Sequence, residues 1–349
     1  MKKTCLIIFL VIFIVLILGL VLGWIWYASE LKPIDANQSE NTLFTIEEGW
    51  GVAEISKNLH DGNFIKSPTA FKIYVFISDE RDKLQAGSFE ISPSLSIPEI
   101  VDVLVKAQEK QIEIKIIEGQ RLEEVAKDVE DSGIKGDFIE RAKVGNFKSE
   151  YSFLSNIPSD KTLEGFLFPD TYKFNINSSV DQVIRKMLDN FDIKLKELPA
   201  PTNPMFSNLS DLVILASIVE RESTKSNIER RKIAGVYLNR LLAQTYLQAD
   251  PTVQYSKDTQ NYLKASDKDN FKFWQPITAA DYETVDGGYN TYKIKGLTPG
   301  PIASPSQGSL AAAFNPERNN YFYFFHTTDG AIVFSETAEE HAQRLKEAN

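Results

Sequence analysis

Glu220 is the residue whose sequence context most favours acid–base chemistry. It ends the apolar segment LASIVE, and Ala216 and Val213 precede it at the i−4 and i−7 positions of one helical face. We therefore expect Glu220 at the edge of a buried helix face, where desolvation favours the protonated carboxyl group that a general acid needs. The alternative is an ordinary helix-terminal carboxylate paired with Arg230 or Arg231.

Glu222 is the second carboxylate of this segment. It lies two residues beyond Glu220, so the two side chains point to different sides of the predicted helix and do not form a facing pair. Glu222 either orients the substrate or Glu220, or it pairs with a cation such as Arg240.

Three other segments combine amides, hydroxyls, carboxylates and aromatic rings: LEGFLFPDTY (163–172), LQADPTVQY (247–255) and the stretch 289–305. This mixture suits a carbohydrate groove, in which rings stack on sugar faces and amides bind hydroxyl groups. The predicted substrate-binding residues, besides Glu222, are Glu164, Gln248, Asp250, Thr252, Asn290 and Tyr292.

Each of these residues also has a structural interpretation. Glu164 lies in a Gly/Pro-containing turn, where carboxylates commonly cap backbone amides. Asp250 and Thr252 belong to an Asp-Pro-Thr sequence typical of a capped turn, whereas Asn290 and Tyr292 could tie a loop to the core.

Composition and charge exclude several classes of protein. The 349 residues are 43% hydrophobic and 25% charged, which is typical of globular proteins. The net charge of −10, without a long Lys/Arg run, argues against nucleic-acid binding. Cys5 is the single cysteine and the three histidines are far apart, so we expect neither a disulfide nor a metal or other cofactor. A serine protease is disfavoured because no Gly-x-Ser-x-Gly motif occurs.

Residues 5–27 contain no charged side chain. As a helix they would extend roughly 34 Å, enough to cross the hydrocarbon core of a membrane. A cleaved signal peptide is the alternative, but this run is longer and ends in the aromatic residues Trp24, Trp26 and Tyr27. Lys2 and Lys3 precede the run, which predicts a single-pass anchor in the cytoplasmic membrane with a cytoplasmic N-terminus and an extracytoplasmic remainder.

Two self-similar segments follow a short tether. Ile46-Glu47-Glu48-Gly49 and Ile116-Ile117-Glu118-Gly119 each end a predicted strand and precede an amphipathic helix. The sequence predicts an α+β protein with a cytoplasmic tip and transmembrane anchor (1–28), a small LysM-like α+β unit (42–110), a second small α+β unit or connector (111–150) and a mixed α+β catalytic domain (151–349). The first unit resembles a LysM module, which implies either glycan binding or a spacer role.

Four ordered motifs together resemble the MltG (YceG-like) family of endolytic murein transglycosylases. They are the 163–172 segment, SIVE-x-E-[ST], LQ-x-DPTV-x-Y and YNTY…GL-x-PG-x-IA-x-P. The resemblance implies that Glu220 is the catalytic acid/base. It further implies cleavage between N-acetylmuramic acid and N-acetylglucosamine within glycan strands, leaving 1,6-anhydro ends and terminating nascent strands.

The implied partners are peptidoglycan strands and, by resemblance, peptidoglycan synthases or division proteins near the membrane. A non-catalytic, membrane-tethered peptidoglycan-binding adaptor is the alternative from another functional class.

Overall fold

The fold was analysed in a computed structural model that describes residues 2–106, 111–202, 208–223 and 226–348, with only the backbone of residues 2–9, 11 and 106. The chain divides into two compact units. Unit 1 comprises the described residues up to Ile112 together with Asn175–Asn177, and unit 2 comprises Glu113–Phe174 and the chain from Ser178 onward.

Helix α1 (Lys2–Glu30) opens unit 1. Its span Ile12–Glu30 has a mean hydropathy of 2.3, and none of it is buried within the protein. Length and composition make this helix suitable for crossing a membrane, in agreement with the predicted anchor.

The rest of unit 1 is a small α+β structure with a single core. Strands β1 and β2 pair antiparallel with Phe44 opposite Phe89, and the two helices between them pack on each other. This βααβ order agrees with the predicted α+β unit, whereas its glycan binding stays a prediction and residues 107–110 lie outside the described residues. Its elements are β1 (Thr42–Ile46), α2 (Val52–Asp61), α3 (Pro68–Ile77), β2 (Gly87–Ile91) and α4 (Ile97–Lys106).

Unit 2 is mostly helical, with two small two-stranded sheets, β3–β4 and β5–β6. Its elements in chain order are β3 (Gln111–Lys115), α5 (Leu122–Asp131), α6 (Phe138–Arg141), α7 (Val144–Phe147), β4 (Thr171–Asn175), α8 (Val180–Lys196), α9 (Leu209–Glu222), α10 (Asn227–Leu242), α11 (Asp250–Lys264), α12 (Ala279–Thr284), α13 (Gln307–Phe314), β5 (Tyr323–His326), β6 (Ile332–Ser335) and α14 (Ala338–Ala348).

Helix α9 is the centre of unit 2. All eight residues from 212 to 219 are buried, and α10, α11 and α13 pack around the helix. Each large aliphatic side chain buried in this way contributes about 1.5–3 kcal/mol. The helix that carries Glu220 is therefore fixed by its own apolar sequence.

Two helix boundaries differ from the predictions. The sequence favours Ser210 as the N-cap of this helix, because it is followed by Asp211, but the cap of α9 is Asn208, whose Oδ1 accepts a hydrogen bond from the Ser210 backbone N–H at 2.9 Å. The predicted LQ-x-DPTV-x-Y loop is wrong from Asp250 onward, because these residues begin α11. Pro251 lies in the first turn of this helix, where its missing N–H costs nothing.

The segment predicted as a second small α+β unit or connector, 111–150, has its residues from Glu113 onward within unit 2. The N–H of Leu122, at the start of α5, donates to Glu164, and the guanidinium of Arg121 donates to the Tyr255 carbonyl oxygen at 3.2 Å. These buried contacts join α5 to the rest of unit 2.

Gly165 provides a test of how the 163–172 segment packs. Its φ is +80°, and a Cβ added there would lie 2.5 Å from the Pro301 Cβ. Gly296 has a similar φ of +86° but open space around it. We expect Gly296→Ala to cost about 1–2 kcal/mol of backbone strain, and Gly165→Ala to cost about 1–3 kcal/mol more through overpacking.

Urea unfolding followed by tryptophan fluorescence measures both glycine variants. Equal destabilisation of the two would contradict the close packing of Gly165 against Pro301.

Candidate active site

Glu220 lies in the last turn of α9, and its side chain is only 8% exposed. Its Oε2 accepts hydrogen bonds from the backbone N–H of Ser306, at 2.9 Å, and from the Ser306 hydroxyl. Its Oε1 lies 3.5 Å from Nη2 of Arg230 on α10. Two neighbouring elements, α10 and the N-terminus of α13, therefore hold this one carboxylate in place.

Arg230 and Ser306 are themselves positioned by local structure. Nη1 of Arg230 donates to Oδ1 of Asn227, one turn earlier on α10, at 3.1 Å. Ser306 is the N-cap of α13, and its Oγ accepts a hydrogen bond from the Ser309 N–H. Glu220 thus meets the positive end of the α13 dipole, which favours a negative charge.

The loop before α13 is fastened to α9 and to the Gly119 turn. The N–H of Ile302 donates to the hydroxyl of Ser217, on the buried face of α9, at 3.0 Å. Ser304 accepts from the N–H of Gly119 and donates to the carbonyl oxygen of Gln120, both at 2.8 Å. Three predicted motifs consequently converge at the end of α9.

An aromatic side chain flanks the site. The guanidinium of Arg221 lies 3.7 Å from the ring centroid of Trp274, and its Nη1 donates to the Gly119 carbonyl oxygen at 3.4 Å. The indole N–H of Trp274 donates to Glu124 at 3.0 Å. This stack, which includes the residue next to Glu220, forms a half-buried aromatic wall at the end of α9.

Glu222 belongs to a different polar cluster from Glu220. It accepts a hydrogen bond from the Tyr237 hydroxyl at 2.7 Å and another from the backbone of Asp250. Because burial desolvates its carboxyl group, the pKa of Glu222 is raised to about 7. Asp250 in turn accepts hydrogen bonds from the hydroxyls of Tyr292, at 2.6 Å, and Tyr282, at 3.3 Å.

Thr252 and Asn290 hold the surrounding loops together. The Thr252 hydroxyl, fully buried, donates to the Ala249 carbonyl oxygen at 2.6 Å and lies 2.8 Å from the Thr291 hydroxyl. The Asn290 amide donates to the carbonyl oxygens of Tyr282 and Val285. These contacts support the structural interpretation of both residues.

Glu164 and Gln248 are not among the residues that contact the Glu220 carboxylate in the described part of the chain. Glu164, 4% exposed, caps α5 by accepting from the Leu122 N–H at 3.1 Å, and burial raises its pKa to about 8. Gln248 is exposed beside Arg240 and Tyr323. Of the predicted substrate-binding residues, Glu222, Asp250 and Tyr292 thus form one cluster, and Thr252 and Asn290 hold the loops around it. Glu164 and Gln248 lie at two other positions.

Sequence reasoning missed Ser306, Arg221 and Trp274 as parts of the site. A Ser before the apolar run of α13 is a recognisable N-cap signal. Nothing in the spacing places Trp274 against Arg221, because their contact joins positions that are far apart in the chain. Among the described residues, no group of three or more His, Cys, Asp or Glu side chains could hold a metal ion.

The fold and the site define an α+β protein with an N-terminal apolar helix and, at the end of a buried helix, a carboxylate held by Arg230 and Ser306. The chain belongs to the YceG-like family, whose model matches residues 44–347. The resemblance stated from the four motifs is confirmed.

Named relatives are similar over most of the chain. An endolytic murein transglycosylase from Bacillus subtilis is 30% identical over 90% of this chain and 86% of its own. One from Streptococcus pneumoniae is 28% identical over 91% of this chain, which spans 60% of that relative's length. A crystal structure of a yceG-like protein from Listeria monocytogenes is 29% identical, covers 88% of this chain and 99% of its own, and has a TM-score of 0.54.

The buried carboxyl group of Glu164 makes a prediction about pH dependence. Between its ordinary value of 4.5 and its raised pKa of about 8, the folded chain holds a proton that the unfolded chain has lost. Stability therefore falls as pH rises through this window, by at most about 1.4 kcal/mol per pH unit for one group. We expect Glu164→Gln to remove this contribution and to flatten the dependence most between pH 7 and 8, because Glu222, with its pKa of about 7, keeps a slope of the same sign below that range.

The measurement is the free energy of urea unfolding of the full chain in detergent across that pH range. Glu283→Gln, at an exposed carboxylate of α12, is the matched control and should leave the slope unchanged. An unchanged slope in Glu164→Gln would show that Glu164 stays ionised in the folded protein.

Proposed function

We propose that this protein is a membrane-anchored lytic transglycosylase that cleaves peptidoglycan glycan strands internally, with Glu220 as its acid and base. The observation that carries the proposal is the setting of Glu220. Its carboxylate is held by Arg230 and Ser306, in a chain whose relatives are named endolytic murein transglycosylase. The Arg221–Trp274 stack beside it supplies an apolar face for a sugar ring.

In the first step, protonated Glu220 donates its proton to the glycosidic oxygen between N-acetylmuramic acid and N-acetylglucosamine. The bond from the muramic anomeric carbon to this oxygen breaks, and the electron pair leaves with the N-acetylglucosamine end. The Ser306 hydroxyl can either donate or accept a hydrogen bond, so it can stay hydrogen-bonded to Glu220 whether the carboxyl group is protonated or ionised.

In the second step, the C6 hydroxyl of the same muramic residue attacks its own anomeric carbon. Its proton passes to the Glu220 carboxylate, which restores the acid, and the product carries a 1,6-anhydro ring. No water is consumed. Hydrolytic glycosidases use a second carboxylate to activate water or to act as nucleophile, whereas here the substrate provides the nucleophile.

The surroundings of Glu222 are consistent with a mechanism that uses only one carboxylate, that of Glu220. Its carboxyl group is engaged by the Tyr237 hydroxyl and the Asp250 backbone, and neither contact is shared with Glu220. We assign Glu222, Asp250 and Tyr292 to shaping the site, with Gln248 the most exposed of the predicted substrate contacts.

We propose that the reaction takes place at the extracytoplasmic face of the cytoplasmic membrane, with the N-terminus in the cytoplasm, because Lys2 and Lys3 precede the apolar run. Nascent strands are polymerised there, so internal cleavage would terminate their elongation. Peptidoglycan synthases and division proteins are the partners that such a position suggests.

Glu220→Gln tests the catalytic assignment. Replacing the acid by an amide of the same shape should lower cleavage of uncrosslinked glycan by about 10²–10⁴-fold while strand binding persists. Glu283→Gln, an equivalent change at an exposed carboxylate, should cleave normally. Full activity of Glu220→Gln would refute the assignment, and absence of cleavage by the native protein would favour a non-catalytic adaptor.

The product chemistry provides an independent test. In water labelled with heavy oxygen, we expect mass spectrometry to find anhydro ends that carry no label, because the C6 hydroxyl is the nucleophile. Reducing ends with incorporated label would instead identify a hydrolase. Strands reduced with borohydride beforehand remove the background of existing reducing ends.

A further inference from the structure

The C-terminal half of α3, in unit 1, exposes an unusual amount of apolar surface. Phe76 is 76% exposed, Ile77 69% and Ile73 36%, and the three lie at helical spacings of one, three and four residues. Single exposed apolar residues are common, but a contiguous patch of large side chains marks an interaction surface. We refer to these three residues as the α3 patch.

The end of α1 is docked on the same unit. Tyr27 and Leu31 pack against the core of unit 1, and the Leu31 carbonyl oxygen accepts a hydrogen bond from the Ile97 N–H at 2.9 Å. Tyr27 belongs to the aromatic belt that, with Trp24 and Trp26, marks the membrane–water boundary of an anchor. With α1 inserted up to this belt, the core of unit 1 would lie close to the membrane surface.

The α3 patch is close to this docking point. Tyr27 lies near enough to Tyr74 for their hydroxyl groups to interact electrostatically, and both rings pack on the same core. Ile73 is adjacent to Tyr74, and Ile77 follows three residues later on the same side of α3. Three residues of helix rise about 4.5 Å, so along α3 the patch extends no more than about one turn from Tyr74, the residue that interacts with Tyr27.

An apolar cavity of about 370 Å³ opens beside Phe76. Its lining includes Val52 and Val75, with Lys72 and Arg81 at its edge. A long cationic side chain at the rim of an apolar surface is typical of an interfacial segment, because the stem contacts the apolar region while the charge stays in water.

We propose that the α3 patch inserts into the outer boundary of the membrane that α1 spans, so that unit 1 lies on the lipid surface rather than standing away from it. The proposal rests on the proposed membrane anchoring and is independent of the catalytic assignment. Apolar contact is the main attraction, since the charges that follow α3 have both signs and Lys83 pairs with Glu80 at 3.2 Å. We expect a depth of about 5–10 Å, typical of interfacial helices.

Depth-dependent quenching tests this insertion in the full chain. In a Cys5→Ser background, an environment-sensitive fluorophore is attached at Phe76→Cys or Ile77→Cys, and the protein is reconstituted in phosphatidylcholine vesicles. We expect blue-shifted emission and loss of most fluorescence when the lipids carry a nitroxide near the headgroup, with weaker quenching by a nitroxide near the bilayer centre. Adding phosphatidylglycerol should change the result little.

Two matched positions make the result decisive. Trp26→Cys, in the belt, should be quenched and establishes that α1 is inserted, whereas Lys57→Cys, exposed on α2, should remain water-like. If Trp26→Cys is quenched while both α3 positions remain water-like, the insertion is refuted and the patch is left for a protein partner. Equal quenching at Lys57→Cys would also refute a specific insertion.

An unlabelled variant checks that the fluorophore does not create the contact. Deuterium exchange of the α3 amides should be slower in vesicles than in detergent for the native chain. In Phe76→Ser/Ile77→Ser this difference should disappear. Persistence of the difference in the double variant would show that the patch does not carry the membrane contact.

Discussion

The meeting of two helix ends at Glu220 is the constraint on which the site depends. Glu220 lies in the last turn of α9, where that helix's own dipole disfavours a negative charge. The N-terminus of α13 opposes this unfavourable field through the Ser306 N–H, and Arg230 adds a cation at 3.5 Å. The carboxylate is therefore stable in this place only while α9, α10 and α13 remain packed together. The packing of the apolar face of α9 consequently also determines where the Glu220 carboxylate lies.

Much of this arrangement could be predicted from local sequence. The apolar run before Glu220 predicted α9. The Asp-Pro-Thr sequence was misinterpreted because Pro, a turn former, is equally favourable in the first turn of a helix. In that case only tertiary packing distinguishes the two outcomes. Contacts such as Arg221 with Trp274 lie beyond prediction, since they join separate elements without any periodic signal.

Three acidic side chains of unit 2, Glu164, Glu222 and Glu220, illustrate why residue identity alone does not reveal a residue's role. Glu164 faces a single backbone donor and is desolvated, so its neutral form is favoured and it serves as a helix cap. Glu222 accepts from Tyr237 and from the Asp250 backbone, yet burial still raises its pKa. Glu220 lies beside the Arg230 guanidinium and accepts two hydrogen bonds, both from Ser306. Sequence could identify all three as candidates, but only the surrounding partners separate a cap from a candidate catalyst.

A single carboxylate is sufficient for the proposed reaction because of how the nucleophile is supplied. Well-oriented intramolecular reactions reach effective molarities of about 10⁵–10⁸ M, far above the concentration of liquid water. The C6 hydroxyl can therefore outcompete solvent without a second carboxylate to activate it, provided that the muramic ring is held in the reactive orientation. The demand on the protein shifts from activating water to fixing the sugar. In the proposed mechanism the demand is met by a firmly held Glu220, an aromatic wall at Trp274 and loops tied by Thr252 and Asn290, because each of them restricts motion rather than adding a further reactive group.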